Sequence, residues 1–256
     1  PLGKYTAFFL TLTILGLLGP FGVVPRCIIV AQGGIDLLFP SLSLPVFSAI
    51  FCVLLALLAW RPTRIIQIIG ARLTPLLMLS TAILIILGLT YSHPIAPCNT
   101  SKLQAFSNGL FQGYQIMDLL ASFFFSSAIY AFIHRSLKEE KTSIIIPLAI
   151  KASLLGALLL ALVYGGFVFL GAKFAPDLQG VAAEQLIVKI ASILMGPYAI
   201  PVIATLIVLA CLTTALILAD LFSQFMCREI FKPKIPEHVC LIVTLGLSFS
   251  LSLLGF

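Results

Sequence analysis

Long apolar runs separated by short polar loops dominate this chain. The runs occupy about seven stretches: 5 to 25, 42 to 60, 73 to 91, 106 to 133, 144 to 171, 191 to 222 and 238 to 256. Each approaches or exceeds the roughly 20 residues that a helix needs to cross about 30 Å of hydrocarbon. Stretches 83 to 89 (ILIILGL) and 154 to 162 (LLGALLLAL) are apolar on every face. Strands of a membrane barrel would instead alternate apolar and polar residues over about ten positions. With no water in the bilayer core, a helix alone satisfies every backbone group within its own segment. The pattern predicts an all-α, multi-pass membrane protein with a single transmembrane domain over 1–256.

Composition strengthens that picture. Apolar residues make up 61% of the 256 positions and charged residues 9%, against about 45–50% and about 25% in a soluble domain. A soluble fold of this length could not bury so much aliphatic surface. The chain opens on Pro1 and stops at Phe256 within the last run, which is read as a piece lacking spans at both ends.

Lys and Arg set the expected orientation. The loops after the second, fourth and sixth runs carry Arg61, Arg64 and Arg72, then Arg135, Lys138 and Lys141, then Arg228, Lys232 and Lys234. The alternate loops hold only Arg26, Lys102, Lys173 and Lys189. The richer loops are therefore expected in the cytoplasm, and the chain in the cytoplasmic (inner) membrane. The formal net charge of +6 then belongs to topology and anionic headgroups and calls for no nucleic acid.

Chemistry of other kinds finds little footing. Cys27, Cys52, Cys98, Cys211, Cys227 and Cys240 form no CxxC pair, so metal and redox readings lack clustered ligands and small apolar filling is the plainer role. There is no GxxxxGKS/T loop, HExxH or GxSxG. His93, His134 and His238 sit at span edges. Neither an enzyme nor a cofactor is expected.

Polar groups placed where lipid makes them costly carry more information. A charge at mid-bilayer costs at least about 2.5–3.5 kcal/mol on insertion scales, which singles out Arg26, Asp118, Lys151 and Asp220. Lys151 and Asp220 lie near cytoplasmic edges, where snorkelling or the nearby Arg228 accounts for them. Asp118 lies some 18 Å into its run at 1.5 Å per residue, near the midplane. The segment leading to it, FSNGLFQGYQIMD, places Asn108, Gly109, Gln112, Gly113, Tyr114 and Gln115 within a membrane-length run. This mixture predicts a broken helix whose freed backbone groups bind substrate or ions. Helix packing through the Gly109/Gly113 pair is the competing reading. In the sixth run, LACLTTALILAD, Thr213 and Thr214 are hydroxyls suited to a small hard cation, although threonine also bonds to its own helix carbonyls.

Three segments, GPFGVVPR (19 to 26), FSNGLFQGYQIMD (106 to 118) and LACLTTA (209 to 215), resemble the branched-chain amino acid:cation symporter family, the system II carriers for leucine, isoleucine and valine. The similarity runs along essentially the whole chain. It implies a LeuT-like helical bundle of two inverted repeats, belonging to the amino acid/polyamine/organocation superfamily. The present spans would correspond to helices 3 to 9, with further N- and C-terminal helices of the same protein completing the bundle. It also implies that Gly113, Tyr114, Met117 and Asp118 line the substrate site, and that Thr213 and Thr214 are the ligands to sodium.

The expected function is thus secondary symport, by alternating access, of leucine, isoleucine or valine with a cation, sodium by this resemblance. Proton coupling through Asp118, or another neutral amino acid as substrate, is the nearest alternative. A non-transporting membrane subunit of an energy-converting complex is the alternative of another class. Such a subunit would carry a chain of intramembrane Lys, Glu and His, where this sequence has one central Asp.

Overall fold

The computed structural model describes residues 3–59, 62–91, 101–124, 126, 142–231 and 236–254, and every regular element among them is a helix. In order these are α1 (Lys4–Leu18), α2 (Val23–Asp36), α3 (Leu44–Ala59), α4 (Pro62–Thr90), α5 (Lys102–Gln115) and a short α6 over 118–124. Then follow α7 (Thr142–Lys173), a 3₁₀ turn (Ala183–Gln185), α8 (Leu186–Met195), α9 (Ala199–Phe225) running into a π turn (Met226–Ile230), and α10 (Glu237–Ser252). Three stretches among the described residues are long and apolar enough to cross a membrane: Tyr5–Asp36, Ile146–Lys173 and Ala199–Ile230. Leu44–Ala59, Thr74–Thr90 and Glu237–Ser252 are shorter apolar helices. The chain divides into two compact units, 1–91 with 177–256, and 92–176.

The first unit is organised around α9. Ala204, Ala215, Leu216, Ala219 and Phe222 of α9 are buried, and its most extensive neighbour is α2. Small residues allow that approach: Ala31 is buried, and a Cβ added to Gly34 would already lie 3.5 Å from Ile207 and 3.9 Å from the Ala204 backbone. At the far end of α2, Gln185 donates from Nε2 to Asp36 Oδ2 at 3.2 Å, tying the helix to the 3₁₀ turn.

The apolar runs and the helices differ where glycine and proline intervene. The run 5 to 25 is two helices, because Pro20 lacks an N–H and the chain turns through Gly19 to Gly22 between α1 and α2. The run 191 to 222 begins inside α8, which ends at Gly196 with φ at 79°, and α9 starts at Ala199. The run 106 to 133 is interrupted at 116–117, and much of its later part lies outside the described residues. The segment 62 to 72, expected as a loop, is the first part of α4. The expected loop at 134 to 141 and the basic residues 232 and 234 lie outside the described residues.

Candidate functional site

In the second unit, α5 begins where Ser101 Oγ accepts the Gln104 N–H at 3.3 Å, satisfying one of the donors that a helix start leaves open. Gly109 and Gly113 both lie inside α5, and a Cβ added to either would meet nothing described within 4 Å. The pair therefore makes no close helix contact among the described residues. The interruption falls just after them. The Ile116 N–H reaches the Gly113 carbonyl at 3.3 Å and the Met117 N–H the Tyr114 carbonyl at 3.2 Å, tightening the last turn. Met117 then adopts φ 62°, the left-handed region that a side chain with a Cβ disfavours by about 1–2 kcal/mol.

Helix resumes at Asp118, and the Ala121 N–H donates to the Met117 carbonyl at 3.1 Å. Breaking the ladder here exposes carbonyls at the end of α5 and N–H groups at the start of α6. The Asp118 carboxylate sits at that start, where the helix dipole favours negative charge. The hydroxyl of Tyr164, on α7, donates to Asp118 Oδ2.

Gly113, Tyr114, Met117 and Asp118 thus occupy one short stretch spanning the end of α5 and the break. Tyr114 is 71% exposed, whereas Met117 and Asp118 are half-buried. Tyr164 is not among the residues singled out from the sequence, since a tyrosine in an apolar run is usually packing. The adjoining Gly165 and Gly166 were the one local sign of anything else.

In the first unit, Thr213 and Thr214 lie midway along α9. Thr213 is half-buried and donates from Oγ1 to the Ala210 carbonyl at 2.8 Å, while Thr214 is exposed. The carbonyl bond uses the hydroxyl hydrogen and leaves oxygen lone pairs on Thr213 for a cation. Asp220, further along α9, is half-buried and accepts from Gln224 Nε2 at 2.8 Å. Arg26 and Lys151 are exposed.

The profile of the branched-chain amino acid transport proteins matches residues 1–256. The chain belongs to that family. It is 30% identical over 225 residues to the branched-chain amino acid permease BrnQ of Bacillus subtilis, covering 84% of this chain and 50% of that protein. It is 30% identical over 265 residues to the branched-chain amino acid transport system 3 carrier protein of Pseudomonas aeruginosa, covering 100% of this chain and 59% of that one. A permease BrnQ of Lactobacillus delbrueckii subsp. lactis is 28% identical over 264 residues, 98% of this chain and 58% of that protein. The chain spans about half to three-fifths of the length of these curated relatives. No solved structure matches it. With its apolar helices, family membership makes the chain part of an integral membrane protein.

The segments that resemble the family therefore have distinct local forms here: a glycine–proline turn between α1 and α2, the broken end of α5, and the middle of α9. The strained φ at Met117 gives the break a direct test. Met117→Gly is expected to keep the folded protein at least as stable as the parent, because glycine accepts φ 62° freely. Met117→Val is expected to cost about 1–3 kcal/mol, since a β-branched side chain is the worst tenant of that region. Thermal unfolding in detergent separates the two, and equal Tm values for both variants would show that the break is not held at this residue.

Proposed function

We propose that the protein carries leucine, isoleucine and valine across the cytoplasmic membrane by secondary symport with a cation, sodium being the favoured ion. The observation that carries this reading is the interruption at Ile116–Met117, which sets a half-buried carboxylate, Asp118, beside freed backbone groups in a run of membrane length. Broken helices of this kind bind charged ends of substrates and small cations in transporters. The printed names of the relatives, permeases and carriers for branched-chain amino acids, support the substrate class.

In this reading the chain contributes helices 3 to 9 of a LeuT-like inverted-repeat bundle. The substrate is held by Gly113, Tyr114, Met117 and Asp118, with the α-ammonium directed to the carboxylate and the exposed carbonyls. Sodium is taken by Thr213 and Thr214, whose hydroxyl oxygens are hard ligands. Rocking of the bundle then opens the site to one side of the membrane at a time, with the segments rich in Lys and Arg on the cytoplasmic side. No covalent step is required.

A second reading, proton coupling, is favoured by one specific observation. Tyr164 donates to Asp118, so a titratable carboxylate is held by a hydroxyl that can adjust as the proton comes and goes. Uptake of labelled leucine by the full-length protein in proteoliposomes, under separately imposed sodium and proton gradients, distinguishes the two. Accumulation driven by sodium alone supports the first reading, and accumulation driven by a proton gradient alone supports the second. Absence of leucine, isoleucine and valine uptake under either gradient would overturn both. If sodium drives uptake, Thr213→Ala is expected to raise the sodium concentration for half-maximal transport about tenfold, equivalent to about 1.4 kcal/mol. The maximal rate at saturating sodium should change little. Unchanged sodium dependence in both Thr213→Ala and Thr214→Ala would move the ion elsewhere.

A further inference from the structure

Cysteines far apart in the chain meet across the helices of the first unit. The Cys27 thiol on α2 donates to the sulfur of Cys211 on α9, and Cys227 of the π turn is hydrogen-bonded to Cys240 of α10. The two pairs differ in access. Cys27 and Cys211 are half-buried, whereas Cys227 and Cys240 are buried.

The packing of α2 on α9 brings the first pair together independently of that bond. A Cβ added to Gly34 would lie 3.9 Å from Ala204 Cα, so the two Cα atoms are at most about 5.4 Å apart. Toward the other end, a Cβ added to Gly19 would lie 3.0 Å from Phe222 Cβ. The helices are therefore antiparallel and close at both ends of the interval. Cys27 lies seven residues before Gly34, and Cys211 seven residues after Ala204. Seven residues return a helix to within about 20° of the same face, so the two thiols oppose each other between the two contacts. Ala31, buried between Cys27 and Gly34, keeps the approach close. A disulfide needs Cα atoms about 4.4–6.8 Å apart, a range that this interface reaches at Gly34 and Ala204.

We propose that Cys27 and Cys211 are an oxidation site, which a small neutral peroxide converts into a disulfide fastening α2 to α9. Depth selects the oxidant. Cys211 lies about 18 Å into Ala199–Ile230 at 1.5 Å per residue, near the middle of a roughly 30 Å hydrocarbon core. A charged disulfide such as oxidised glutathione is kept out of that region, and an uncharged peroxide is not. Cys211, whose sulfur accepts the hydrogen bond, is the nucleophile. Its sulfur bonds to one peroxide oxygen as the O–O bond breaks, and the other oxygen leaves as water with the thiol proton. Cys27 then attacks the sulfenic sulfur. The S–S bond forms, the S–O bond breaks, and a second water leaves with the Cys27 proton. Two thiols are oxidised and one peroxide is reduced to two waters. The bond closes two residues from Thr213 and stops α2 from sliding along α9.

The full-length protein in liposomes is treated with hydrogen peroxide, its remaining thiols are blocked with a membrane-permeant maleimide, and its peptides are mapped by mass spectrometry. A linked peptide pair joining Cys27 to Cys211 is expected in the wild type. Cys27→Ser should abolish the link and leave Cys211 as a sulfenic acid that dimedone traps. Cys52→Ser should leave the link unchanged, since the Cys52 thiol points to the Leu245 carbonyl at 3.9 Å. Phenylarsine oxide, which condenses with two neighbouring thiols and releases one water, should protect the wild type from linkage. That measurement needs no variant to fold.

Absence of the Cys27–Cys211 link in the wild type would overturn the proposal. So would linkage undiminished by phenylarsine oxide, or a folded Cys27→Ser variant whose Cys211 stays a free thiol under peroxide. Peptide mapping is read without transport, so its failure leaves the symport reading untouched.

Discussion

Asp118→Asn is expected to abolish gradient-driven accumulation of substrate while leaving substrate binding measurable. Asparagine keeps the size of the side chain, and its carbonyl oxygen can still accept from the Tyr164 hydroxyl. What it removes is the charge at the start of α6. A hydrogen bond to a charged group contributes about 1.5–3 kcal/mol, so an interaction that uses the carboxylate should weaken by about ten- to a hundredfold. The aliphatic part of the substrate gains little from that charge, and exposed carbonyls of the break can hold its ammonium, so binding is reduced rather than lost.

Tyr164→Phe deletes the donor but keeps the carboxylate, and is expected to impair transport less than Asp118→Asn. The double variant should be no worse than Asp118→Asn alone, because the two groups act as one unit. A purely packing role for Asp118 gives no such ranking, with asparagine tolerated and the loss of the Tyr164 hydroxyl equally harmless. Wild-type accumulation by Asp118→Asn at wild-type expression would therefore remove Asp118 from the mechanism.

Gly22→Ala should be among the most destabilising single methyl additions to the first unit. In the turn between α1 and α2, a Cβ on Gly22 would collide with the Leu17 carbonyl oxygen. The neighbouring Gly19 has little more room, its Cβ lying 2.9 Å from the Leu15 carbonyl oxygen and 3.0 Å from Phe222 Cβ. The obstacle is backbone, which cannot turn aside as a flexible side chain does. Overpacking of this kind costs about 1–3 kcal/mol, and the upper end is expected because the turn also seats Phe21 edge-on against Phe222 at 6.5 Å. Gly246→Ala is the control: with open space around it and helix on both sides, alanine should raise stability by up to about 1 kcal/mol. Thermal unfolding of the purified variants measures both. Equal Tm values for Gly22→Ala and the parent would mean that the turn relaxes without consequence.

How far the sequence reaches is clearest at the break. FSNGLFQGYQIMD marks an interruption, because polar residues and glycine do not otherwise persist in a membrane-length run. Its position does not follow from the glycines. Both remain helical, and the chain breaks at Met117, a residue whose left-handed φ no propensity favours. Likewise GPFG reads from composition as part of one long span, yet the chain turns there between two helices, and only the fold shows that the turn is seated against Phe222 of α9.

The apolar runs, the helical class, the sparse charges and the three family segments are properties of the chain read in order, because the bilayer imposes length and polarity one segment at a time. The partners are different. Cys27 meets Cys211 at the α2–α9 interface, Tyr164 donates to Asp118, and Asp220 joins Glu237 and His238 around one cavity. Each set combines residues far apart in the chain whose meeting depends on helix rotation and crossing. A helix that is apolar on every face has no stripe to declare its rotation, so the tertiary packing alone decides which of its side chains find one another.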